Sequence, residues 1–165
     1  IPQEIAMKKL LAFAFAVSAF AQNALVPPPN LPYGVAITPD VAKKAAAAAI
    51  AEAAKNKWSM AVAIVDGGGY LVYFERMPDT QLGSVEIAME KAKTAALFRR
   101  PTKSFQDALA TGGENLRLLR LTGAIPVDGG FPLVVDGKIV GAIGASRGSS
   151  DQDGRTAQAG AAVVK

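Results

Sequence analysis

The sequence contains no histidine and no cysteine. Missing cysteine excludes disulfides, a thiol nucleophile and thiolate metal sites. Missing histidine removes the usual general base, the usual transition-metal ligand and the usual haem ligand at once. No Ser-His-acid triad is possible, and Asp151-Gln152-Asp153-Gly154 lacks the later glutamate of a calcium loop. Aromatic residues are few, at 7%, and charged residues make up 19%. The net charge of +4 comes from scattered basic residues with no aromatic interleaving, which argues against a nucleic-acid surface. Half of the 165 residues are apolar, enough to bury the core of a single domain.

The first segment reads as an address. Met7-Lys8-Lys9 is a positive start, Leu10 to Phe20 is an apolar run, and Ala19-Phe20-Ala21 has a small-x-small cleavage pattern. This is the pattern of a secretory signal peptide. The run is too short for a lasting membrane span, which needs about 20 residues. Residues 1–21 are therefore expected to be upstream residues plus signal peptide, and the mature protein to be periplasmic or secreted, with no stable membrane anchor. Residues 22–37, with Pro27-Pro28-Pro29 and Pro32, read as an extended lead-in. Residues 38–165 read as the domain.

Thr38-Pro39-Asp40 opens a helix that its alanines carry to about Asn56. Met60–Val65, Asp66-Gly67-Gly68-Gly69 and Tyr70–Glu75 predict a β-hairpin. The three glycines are not followed by Gly-Lys-Ser/Thr, which argues against a phosphate loop. Ser84–Phe98 has apolar residues at helical spacing and stops before Pro101. Thr102 to Leu121 predicts one or two short helices broken at Gly112-Gly113. Asp136-Gly137 between apolar runs predicts a second hairpin, and Ser149–Lys165 a last helix capped by Ser149 or Ser150. The fold class is α+β: a mainly antiparallel sheet of about four to five strands from two hairpins, with helices packed on it.

Taken in order, several segments resemble the GlcG/HbpS-like family, often called the haem-degrading domain family. They are Val65 to Leu71 with Glu75-Arg76-Met77, Lys91-Ala92-Lys93-Thr94-Ala95 with Phe98-Arg99-Arg100-Pro101-Thr102, Gly129-Gly130-Phe131-Pro132, Gly141 to Ser146, and Ala157 to Gly160. The resemblance runs from about Thr38 to Val164. It implies an antiparallel α/β fold, dimers or larger homo-oligomers, and haem or a related tetrapyrrole as the ligand of some members. Other members occur beside glycolate or diol metabolism genes.

The ligand-binding candidates are Arg76, Met77, Ser84, Lys91, Thr94, Phe98, Ser146 and Arg147. Arg76 suits a carboxylate such as a haem propionate, or a surface ion pair. Ser84, Lys91 and Thr94 lie on the Ser84–Phe98 helix, whose polar face also suits solvent or an oligomer contact. Phe98 and Met77 would line the apolar part. Ser146-Arg147-Gly148-Ser149-Ser150 suits an anion at a helix start, or plain capping. Without histidine, Met60, Met77, Met89, Tyr33, Tyr70, Tyr73 and lysines are the side chains left to meet haem iron, with Met77 preferred. No catalytic residue is assigned. The expected function is an exported, oligomeric small-molecule-binding protein for haem or a related anionic ligand. The alternatives are an enzyme acting on a small organic acid or aldehyde, and a non-catalytic signalling or structural partner.

Overall fold

The computed structural model describes residues 31–165. The expected signal peptide and most of the expected proline-rich lead-in lie outside these residues.

The elements run α1 (Pro39–Lys55), β1 (Ala61–Asp66), β2 (Leu71–Arg76), α2 (Ser84–Phe98) and α3 (Lys103–Ala110). A 3-10 helix (Gly113–Arg120), β3 (Gly130–Val135), β4 (Lys138–Ser146) and α4 (Ser150–Ala161) complete the chain. The two hairpins join through β1 and β4 into one antiparallel four-stranded sheet, ordered β2-β1-β4-β3. In the β3–β4 turn, Asp136 and Gly137 both take positive φ, 47° and 70°, as a primed two-residue turn requires.

Helices cover both faces. Val62 and Ile64 of β1 point with Ile143 and Ala145 of β4 into a core shared with α1 and α4. The alanines of α1 at positions 42, 45, 46, 49 and 53 are fully buried there, at helical spacing. The intervening Ala61, Ala63 and Val65 join Ala142 in a second core against α2. The residues facing α2 are small because α2 lies very close to the sheet. Gly130 and Gly144 are cross-strand partners. A side chain on Gly130 would strike the Lys91 carbonyl, and one on Gly144 the backbone of Ala88 and Ala92. This glycine pair is the seat of α2.

The caps behave as the sequence indicates. Thr38 Oγ1 accepts from the Val41 amide, and Pro39 fills the first turn of α1. Ser149 and Gln152 form a reciprocal capping box on α4. The described end of the lead-in is fastened to the sheet. Ile139 N donates to the Pro32 carbonyl and Gly34 N to the Ile139 carbonyl, forming a parallel bridge at Tyr33. No helix among the described residues is long and apolar enough to cross a membrane.

Candidate functional site

The 3-10 helix is the one helix among the described residues that buries none of its side chains. A 3-10 helix repeats every three residues, so side chains at i and i+3 eclipse and form straight rows. Asn115 and Leu118 form the inner, half-buried row. Leu116 and Leu119 form an outward row, 54% and 63% exposed. Arg117 and Arg120 form the third row, exposed and in no ion pair among the described residues. An apolar strip therefore runs beside a basic strip.

The chain leaves this helix through Leu121, 37% exposed, and reaches a cleft of about 150 Å³. The cleft is lined by Glu90, Lys93 and Thr94 of α2 and by Gly123, Ala124 and Ile125. Thr94 positions this loop: its buried hydroxyl accepts from the Ile125 amide at 2.9 Å.

Of the ligand-binding candidates, Thr94 alone lines this cleft. Phe98, one turn later, is half-buried and meets Phe105 edge-on at 5.4 Å. Lys91 points the other way. It is 1% exposed, and its ammonium pairs with Asp153 Oδ2 at 2.6 Å and donates to the Ala145 carbonyl at 3.3 Å. Ser84 is buried at the start of α2, its hydroxyl without a partner.

Arg76 and Ser146 occupy opposite sides of Ala61 in the sheet register, which puts them on one face near one end of the sheet. Arg76 is exposed and Ser146 buried. Arg147 is exposed with φ 131°, a strained value for a residue with a side chain. Next to it, the capping box uses the Ser149 and Gln152 amides, and Asp153 Oδ1 accepts from Gly148 N. Met77 is half-buried against the first core, and its sulfur accepts from the Met60 amide at 3.4 Å. Iron at Met77 would have to displace that bond. Among the other iron candidates, Met60 is fully buried, and the Tyr33 and Tyr73 hydroxyls donate within the protein.

Sequence reasoning passed over the leucine and arginine rows. The signal was present: Leu116/Leu119 and Arg117/Arg120 repeat at three-residue spacing. It also missed Asp128, which is 6% exposed beside the Lys91–Asp153 pair.

The donor chemistry of the exposed face fits the rim of a haem better than its iron. Leu116, Leu119 and Leu121 match an apolar ring, and Arg117, Arg120 and Lys93 match its carboxylates. Lys93 supplies the amine that lines the cleft, and no thioether, phenol or imidazole lines it.

Residues 37–162 match the family described as haem degrading protein HbpS-like. Over 112 residues the chain is 39% identical to Protein GlcG of Escherichia coli (strain K12), covering 68% of this chain and 82% of that one. A crystal structure of HbpS superposes with a TM-score of 0.73 at 33% identity, over 82% of this chain and 95% of that chain. A crystal structure of a PduOC:haem complex gives a TM-score of 0.70 at 32% identity, over 78% and 94%. By sequence and by fold, the chain belongs to the HbpS-like family.

Proposed function

We propose that this protein binds haem or a related tetrapyrrole on the face formed by Gly113–Ile125 and the Glu90–Thr94 stretch of α2. The observation that carries the reading is the pairing of rows on the 3-10 helix. Leu116 and Leu119 offer an exposed apolar strip, and Arg117 and Arg120 flank it with guanidinium groups in no ion pair among the described residues. A flat apolar ring bearing carboxylates is the ligand this pattern suits. The solved complex of a similar protein, PduOC, with haem supports the same ligand class. Bound there, haem would supply a redox-active iron, while this chain's residues hold the ring and neutralise its acids.

The wider setting belongs to the same proposal. The Met7–Ala21 leader exports the chain to the periplasm or beyond. The mature protein acts as a homo-oligomer, whose contacts would cover exposed apolar side chains such as Val35, Tyr70 and Leu71.

Titration of the purified protein with haem, followed in the Soret region, tests the reading. A saturable, shifted band is expected, and Leu116→Asp with Leu119→Asp should abolish it while the fold stays intact. An unshifted spectrum in the parent protein would sink the proposal. So would undiminished binding in the double variant.

A further inference from the structure

A second group of titratable side chains takes no part in that face. Lys91, Asp128 and Asp153 are 1%, 6% and 3% exposed. They come from α2, from the segment before β3, and from α4. Lys91 pairs with Asp153, as described above. Asp128 Oδ1 accepts from the Gly129 amide at 2.6 Å, and its carboxylate packs on Gly154, the residue after Asp153.

One buried cation thus faces two buried carboxylates. Other charges nearby do not correct the imbalance. Lys103 of α3 acts on Asp128 but is bridged to Asp107 at 2.7 Å. Asp151 of α4 is a further negative charge, and Arg147 is turned out to solvent. With both carboxylates ionised, Lys91 leaves one buried negative charge unmatched.

The cluster also holds a loop. Asp153 Oδ1 accepts from the Gly148 amide at 2.8 Å, and the Asp153 amide donates to the Ser149 carbonyl at 2.9 Å. These bonds fix the chain on the C-terminal side of strained Arg147.

We propose that Lys91, Asp128 and Asp153 form a proton-binding clasp, in which one proton on its carboxylates neutralises the cluster and its loss loosens the 146–150 loop. Desolvation pushes both carboxyls above the ordinary Asp range, the Lys91 ammonium opposes it, and each carboxylate is near enough to another acid to be raised further.

The sign follows from linkage. These carboxyls bind protons more tightly in the closed clasp than in an opened, hydrated loop. The stabilisation is present at mildly acidic pH. It is lost as pH rises from the ordinary Asp value, about 4, through the raised value of the closed state. This is the reverse of the usual acid loosening of a salt-bridged carboxylate.

Amide exchange at Gly148, corrected for the intrinsic rate, tests the clasp across pH 4.5–8.5 in the full chain, with the Val62–Ile64 amides as reference. Gly148 protection should fall as pH rises, by at most about tenfold per pH unit, the slope of one proton. The reference amides should not follow it. Asp128→Asn keeps the acceptor for Gly129 and mimics the protonated acid. It should flatten the profile and hold Gly148 protected at pH 8. A parent profile that is flat or rises with pH overturns the proposal, and so does an Asp128→Asn profile parallel to the parent. If the variant does not fold, the parent profile alone decides.

Discussion

The ammonium of Lys91 and the carboxylate of Asp153 meet at 2.6 Å across 62 residues of chain, both out of water. The contact ties α2 to the first turn of α4 beside the end of β4. Lys91 thereby has an internal partner, and its side chain stands apart from the exposed face of the 3-10 helix. Replacing it with an apolar residue of similar length leaves Asp153 buried and unpaired. Lys91→Met should cost about 3–5 kcal/mol. Urea unfolding measures the loss. Unchanged stability combined with lost ligand binding would instead make Lys91 a ligand contact.

The seat of α2 gives a sharper structural test. Gly144 takes the helix backbone where any other residue would place a Cβ, and the obstructing atoms are backbone atoms that cannot swing aside. Gly144→Ala should therefore destabilise by about 1–3 kcal/mol, although it adds only a methyl group. Gly83 has open space around the same position and no left-handed φ, so Gly83→Ala is the control. Thermal unfolding of the two variants side by side reads the difference.

These two sites show what was legible in the sequence and what was not. Local signals were strong wherever one residue's chemistry decided the outcome. Thr38 and Ser149 cap, Asp136-Gly137 turns, and Pro101 follows the end of α2, as their types and places indicate. The order of helices and hairpins then followed from hydrophobic period. Lys91 illustrates the limit. Its partner lies far along the chain, so nothing in its local sequence separates a helix-surface lysine from a buried one. Gly130 and Gly144 were visible as glycines, but their role as partners needs the β3–β4 register. The leucine and arginine rows were hidden for another reason: the row pattern emerges only at a period of three, not at the 3.6 of an α-helix.

Thr94 provides a test of the cleft. Its hydroxyl, 1% exposed as a residue, is the acceptor for the Ile125 amide and so holds the Gly123–Ile125 wall on α2. Thr94→Val keeps the shape and removes the acceptor, leaving that amide unsatisfied at a cost of about 1–3 kcal/mol. Exchange at Ile125 should speed up more than exchange in the sheet, and haem affinity should fall with it. Thr94→Ser restores the acceptor and should recover both. Recovery of stability without recovery of affinity would separate the cleft wall from ligand binding.

The arginine row offers a test of the proposed carboxylate recognition. Arg117 and Arg120 stand exposed beside the leucine row without ion-pair partners among the described residues. In the proposed binding mode they meet carboxylates, whereas the leucines meet the ring. Arg117→Gln with Arg120→Gln should weaken haem binding severalfold at low salt and progressively less as salt screens the charges. Binding of the dimethyl ester, which keeps the ring and masks both acids, should be nearly the same in the parent and the double variant. The folded state should be unaffected, because neither side chain is buried. Equal losses for haem and its ester would assign the arginines to the shape of the face, and the carboxylates would then have to be met elsewhere on the protein.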